Sequence, residues 1–198
     1  MKITRLLCAA TLCAASIATT GAQAATLPVS VEAMQGAIAK PGPLPGRNDP
    51  NNAIAGPDGA FFSLGLGGLA VFDFGALLSG AISLSEVTFD CKSGGPECQG
   101  HAESVEIRIS DTYQYDLDVA GFTSLGVIGN AEAQGAKSVM GSGFRYVALI
   151  DVSPQDGGSF DGFDIDALSV IPIPLPLPGM LLASALFGVV ILRRKRVA

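Results

Sequence analysis

Between residues 40 and 170 no stretch of this chain sustains a helical repeat, and its apolar residues come in short runs parted by Gly, Pro, Asn and Asp. Ser104–Ser110 (SVEIRIS) puts Val105, Ile107 and Ile109 on one face and Glu106 and Arg108 on the other, the period of two of a half-buried strand. Phe144–Val152 is apolar on both faces through Ile150 except at Arg145, as a central strand requires. Further strands are expected at Phe61–Leu64, Leu69–Phe74, Glu86–Cys91, Tyr113–Val119, Ser124–Ile128 and Ile165–Ile171. The Gly65–Gly68 run between the first two of these predicts a tight turn or bulge joining a strand pair. It lacks the Lys-Ser/Thr ending of a phosphate loop. Val29, Val31, Met34 and Ile38 suggest an edge strand or coil, and the Pro- and Gly-rich Lys40–Arg47 a loop. Strands at this spacing with Gly-rich turns predict an all-β, jelly-roll-like two-sheet sandwich. Helices should be short and peripheral, with Gly75–Ser79 a place for one.

The two ends read differently. Residues 1–24 have the parts of a secretory signal peptide: Lys2 and Arg5, an apolar run Leu6–Ala18, and the small-residue site Ala22-Gln23-Ala24. At the other end Pro172, Pro174, Pro176 and Pro178 alternate with aliphatic residues in an extended rod. Uncharged, mostly apolar residues follow from Gly179 to Leu192, and then Arg193, Arg194, Lys195 and Arg196. As a helix this segment is about 21 Å long against a hydrocarbon core of about 30 Å, a short transmembrane span whose basic end stays cytoplasmic. The expected division is therefore 1–24 signal peptide, 25–47 edge strand and loop, 48–171 extracellular sandwich, and 172–198 proline-rich motif, transmembrane helix and basic tail.

All eighteen acidic residues lie between Glu32 and Asp166, and only six of the twelve basic residues share that span, leaving it at a net charge of −12. Such a surface repels phosphate backbones, so nucleic acid is excluded as a partner. It does invite divalent cations. The span is long enough for one core and carries no repeat of solenoid length.

The order of proline rod, short span and basic cluster resembles the PEP-CTERM family of bacterial sorting tails, in particular its VPLPA-CTERM branch; the matching motif is Leu175, Pro176, Leu177, Pro178, Gly179. Gly179 stands where that branch carries Ala, which leaves the register of cleavage open. The resemblance implies processing by an exosortase-type membrane protease, membrane anchoring before processing, display at the cell surface or secretion, and association with exopolysaccharide. Ala53–Gly75 (AIAGPDGAFFSLGLGGLAVFDFG) is similar to the opening of an extracellular module in such proteins, one that is like a galactose-binding jelly roll. In those modules an Asp-Gly-Phe-Asp-x-Asp island, here Asp161–Asp166, closes the domain after a Phe-Arg-Tyr strand, here Phe144, Arg145 and Tyr146.

Once the signal is removed, Cys91 and Cys98 are the remaining cysteines, and in an oxidising compartment the pair is expected to form a disulfide around a small loop. A two-thiol metal site is the alternative. Asp58, in the loop Asn48–Gly59, and Asp161, Asp164 and Asp166 offer hard oxygens suited to calcium. The competing reading makes both segments polar turns. One histidine and no nucleophile spacing give no support to a Ser-His-Asp or Cys-His site. There is no tryptophan, and Tyr113, Tyr115 and Tyr146 are the only tyrosines, which disfavours a sugar-stacking platform. The leading expectation is a non-catalytic exported surface or matrix protein. The alternatives are a carbohydrate-binding module with a calcium or loop-end site, and a glycoside hydrolase or esterase.

Overall fold

In the computed structural model, residues 24–38, 46–87, 103–130, 137–155 and 161–173 are described. The expected signal peptide through Gln23, the motif Leu175–Gly179, the apolar segment, the cluster Arg193–Arg196, and Cys91 and Cys98 lie outside the described residues. Among the described residues there are seven strands: β1 (Ser30–Met34), β2 (Phe62–Ser63), β3 (Leu69–Glu86), β4 (Ser104–Ser110), β5 (Thr123–Gly129), β6 (Lys137–Asp151) and β7 (Asp164–Pro172). A 3₁₀ helix, Pro50–Ile54, is short and peripheral as expected. Among the described residues no helix is long and apolar enough to cross a membrane.

Two long strands create the architecture by belonging to both layers. The first half of β3, Leu69–Asp73, lies between β1 and the last half of β6, Tyr146–Ile150; β4 continues that layer on β6, and β5 on β4. The second half of β3, Leu78–Leu84, pairs instead with Lys137–Phe144 of β6 on one side and with β7 on the other, and β2 completes that layer. The β3–β6 register breaks between Asp73 and Leu78. Gly75 and Gly143 sit at the bend with φ of 73° and 64°, a region in which an L side chain is strained. Every pairing is antiparallel. The result is an all-β, sandwich-like domain.

Between the layers lies the core. Phe62, Phe72, Phe144, Phe163, Ile82, Leu149 and Leu168 are fully buried, and Phe74 meets Phe144 edge-on at 6.4 Å. Val105, Ile107 and Ile109 of β4 point into it, as their alternation requires. At about 25 cal/mol per Å² of apolar area, this burial is the main source of stability.

Three expectations are corrected. Gly75–Ser79 is not helical: it stays within β3, because the strand carries its hydrogen bonding across the bend to the other layer. Phe62–Ser63 and Leu69–Phe74 do not pair with each other, since β2 joins β7 while β3 joins β1 and β6. The glycines between them instead form a loop tied down at distance: Gly36 N–H donates to Leu64 O (2.8 Å), and Gly67 N–H to an Asp151 carboxylate oxygen (2.9 Å). The third correction, at Tyr113–Val119, concerns the site.

Candidate functional site

Parity along the strands decides what stands on the outer face of the first layer. With Ala70, Phe72 and Phe74 inward, β3 turns Leu69, Val71 and Asp73 outward; β6 likewise turns out Tyr146, Ala148 and Ile150. On β1, Glu32 is registered against Val71 and Ser30 against Asp73, so Glu32 shares that face. Left bare, the patch would expose a sheet's worth of apolar surface. The β4–β5 connection, residues 111–122, folds back over it: Val119 is buried, and Tyr113, Leu117 and Phe122 pack beside Val71, Tyr146 and Ala148.

That connection carries the period-two pattern Tyr113, Tyr115, Leu117, Val119, yet it is no strand. The residues between are the reason. The Asp116 carboxylate accepts from Asp118 N–H (3.0 Å) and that of Asp118 from Ala120 N–H (2.9 Å), turns that compete locally with a ladder. Tyr115 and Leu117 both have φ of 59°, the left-handed region that non-glycine residues seldom occupy. Such a conformation persists where surrounding contacts over-determine it, and here they do. Leu117 N–H donates to the Tyr113 hydroxyl (2.9 Å), which itself donates to Glu32 Oε2 (2.8 Å). The Tyr115 hydroxyl donates to Asp73 Oδ2 (3.1 Å).

All three tyrosines thereby meet. Ring centroids of Tyr113 lie 5.1 Å from Tyr115 and 5.5 Å from Tyr146, and Tyr115 meets Tyr146 edge-on at 6.2 Å. A composition of three tyrosines and no tryptophan disfavours a sugar-stacking platform, yet the fold brings all three rings to one place. Together with Glu32, Asp73 and Val71 they line a shallow cavity of about 180 Å³. Tyr113 also borders a neighbouring depression of about 310 Å³ beside Gln114, Asp116, Asp118 and Phe122.

The charges at the cavity are unevenly matched. Asp73 is clasped by Arg145 through Nε (2.8 Å) and Nη2 (2.7 Å) and also accepts from Gly75 N–H (2.6 Å). The guanidinium, with the further hydrogen bonds, holds its carboxyl below the usual range despite burial. Arg145, raised in turn by Asp73, also lies 5.1 Å from the Tyr146 ring centre. Among the described residues no ion pair is formed by Glu32, whose carboxylate takes the Tyr113 hydroxyl. Burial and Glu32 push the Tyr113 hydroxyl up to about 12; bonds to Tyr146 and Asp73 do the same for Tyr115.

The acidic residues expected to hold calcium have other engagements. Asp161 pairs with Arg47 (2.6 Å), while its carbonyl accepts from the Ser63 hydroxyl. Asp166 accepts from Asp58 N–H (3.2 Å) and Gly59 N–H (3.0 Å), fastening the 58–59 turn to β7. The side chain of Asp58 accepts from Ala60 N–H within its own turn, and Asp49 caps the 3₁₀ helix. Asp164 is buried with Oδ1 unpartnered among the described residues; burial first, then Asp161, push its carboxyl up to about 7, against the Ser63 hydroxyl and Arg47. Among the described residues no group of three or more His, Cys, Asp or Glu is arranged to hold a metal ion. The nearby Asp151 carboxylate, buried, accepts from Gly67, Phe163 and the Ser153 hydroxyl, locking three segments together.

Glu32, Asp73, Arg145 and the tyrosines were not singled out as a site from sequence, since they come from four segments. Two signals were present: an arginine in an otherwise apolar central strand, and aspartates two apart directly after two alternating tyrosines.

A sandwich of this kind is a fold found in carbohydrate-binding modules. The domain is similar to chitosan-binding module 1 of a chitosanase/glucanase from Paenibacillus sp. IK-5 (TM-score 0.50, 13% identity, covering 73% of this chain and 96% of that one). It is similar also to a truncated AlyQ with CBM32 and alginate lyase domains (TM-score 0.51, 14% identity, 77% of this chain and 34% of that one). At these identities the likeness is one of fold. No protein-family model matches the sequence, and no curated protein matches it.

Proposed function

We propose that this chain is an exported protein whose domain is a non-catalytic, jelly-roll-like carbohydrate-binding module of galactose-binding type, and that the tyrosine pocket is its sugar site. The observation that carries the reading is the convergence of Tyr113, Tyr115 and Tyr146 on a cavity edged by Glu32 and Asp73. A pyranose presents an apolar face of C–H groups and a rim of hydroxyls. Ring faces complement the first and carboxylates the second. The cavity volume suits one such ring, and the fold likeness to a module named for binding chitosan supports the same class. Isothermal titration against a panel of soluble oligosaccharides tests it: Tyr115→Ala, with melting unchanged, should weaken binding about tenfold. Unaltered affinity would remove the pocket from the reading.

Export and sorting rest on the two ends of the chain. In this reading the leader directs secretion, an exosortase-type protease processes the tail at Leu175–Gly179, and the released module meets exopolysaccharide outside the cell. Intact mass of the exported protein should show the Arg193–Arg196 cluster gone. It should also show Cys91 and Cys98 lighter by two hydrogens, their thiols unreactive until reduced. Retention of the basic end in all mature protein would leave only an anchor.

A further inference from the structure

We infer that the pocket selects glycans bearing free, protonated amino groups over neutral or acidic ones. The inference rests on the sugar-binding reading above and names its ligand class. Three observations carry it. The first is charge: Arg145 is spent on Asp73 by two hydrogen bonds, so Glu32 is left as the carboxylate in the cavity with no guanidinium of its own. A neutral hydroxyl would be held there too, but an ammonium group would be held by a charge-assisted bond.

The second is the walls. Tyrosine faces attract cations through their quadrupole, and Tyr115 is 56% exposed. The third is continuity. Tyr113 borders both depressions, and the second is edged by Asp116 and Asp118, whose side chains cap backbone N–H groups and form no ion pair among the described residues. A polymer with one amine per sugar would therefore meet a carboxylate at the first depression and again at the second. Acidic glycans would meet the same carboxylates as repulsion.

The test compares Kd for three oligomers of equal length: one of glucosamine, one of N-acetylglucosamine, and one of neutral glucose. The glucosamine oligomer should bind about tenfold tighter than the other two at low salt, and that advantage should shrink as salt is raised. Glu32→Gln, which keeps an acceptor for Tyr113, should lose most of the advantage, lowering affinity for the glucosamine oligomer far more than for the N-acetylated one. Asp58→Asn, an exposed carboxylate on another loop, controls for the general attraction of a domain at net −12 and should change neither affinity. Equal binding of all three oligomers, or equal effects of the two variants, would overturn charge selection while leaving the sugar site in place. If no oligomer binds, both readings fall.

Discussion

Removing one oxygen from Tyr113 tests how the pocket is held together. Its hydroxyl donates to Glu32 Oε2 at 2.8 Å and accepts from Leu117 N–H at 2.9 Å, so it joins an edge strand to a residue in the left-handed region. Tyr113→Phe keeps the ring and its contacts with Tyr115, Tyr146 and Phe122. It deletes one bond to a carboxylate and leaves one backbone donor without its acceptor. In full burial those losses would reach several kcal/mol; Tyr113 is half-buried, so water restores part, and about 2 kcal/mol is expected. For a domain of this size that is a fall in Tm of about 6 °C. The local consequence is more specific: without its acceptor Leu117 loses the contact that offsets roughly 1 kcal/mol of strain, and its amide should exchange much faster than those of β4. Differential scanning calorimetry and hydrogen exchange read the two effects. A Tm within about 2 °C of the parent with Leu117 equally protected would mean that packing of Leu117, Val119 and Phe122 alone holds the connection, and the hydrogen-bond argument would be refuted.

Other outcomes follow from the same structure. Gly68→Ala would drive a methyl group into the Leu64 carbonyl and against Gly36 N, whose mutual bond ties the glycine loop to the N-terminal segment; a loss of about 3 kcal/mol is expected, read as a urea midpoint, and a neutral effect would show the loop is free to shift. Asp164→Asn should stabilise the domain at pH 8. A carboxyl raised from 3.8 to about 7 contributes stability in full below pH 3.8 and loses it as pH climbs to 7, so ionised Asp164 is a burden of up to about 4 kcal/mol that the amide escapes. The gain should vanish at pH 3.5, and a Tm lowered at pH 8 would count against it. The tyrosines act at the other extreme: with Tyr113 and Tyr115 raised from 10 to about 12, their contribution is complete below pH 10 and is lost between 10 and 12. The alkaline fall in stability should be shallower in Tyr113→Phe than in the parent.

Where one element's pattern answers to one environment, the sequence could be read directly. Ser104–Ser110 alternates because β4 has the core on one side and a thinner cover on the other, and the assignment of Val105, Ile107 and Ile109 holds residue for residue. Phe144–Ile150 is central because β6 lies between β3 and β4 there. The strand's beginning at Lys137 was hidden, since KSVMGSG pairs with the outgoing half of β3 while offering little apolar surface. Tyr113–Val119 failed for a different reason. Its alternation is real, and Leu117 and Val119 do pack down, but Asp116 and Asp118 bind their own backbone and curl the chain. Periodicity reports which side chains are covered; it does not report whether the backbone between them is extended. The site was illegible for a related reason. Glu32, Asp73 and Tyr146 are neighbours only through strand register, and register is set by the bend that lets β3 change layers.

The gathering of the tyrosines has a practical consequence. With no tryptophan anywhere in the chain and its three tyrosines within one cavity, near-ultraviolet absorbance, circular dichroism and fluorescence of the unlabelled protein originate almost wholly at the pocket. Most proteins need a fluorophore placed near a site before a ligand can be watched arriving. In this one the chromophores and the walls of the cavity are the same side chains, so every spectrum of the native molecule is already a measurement of that cavity.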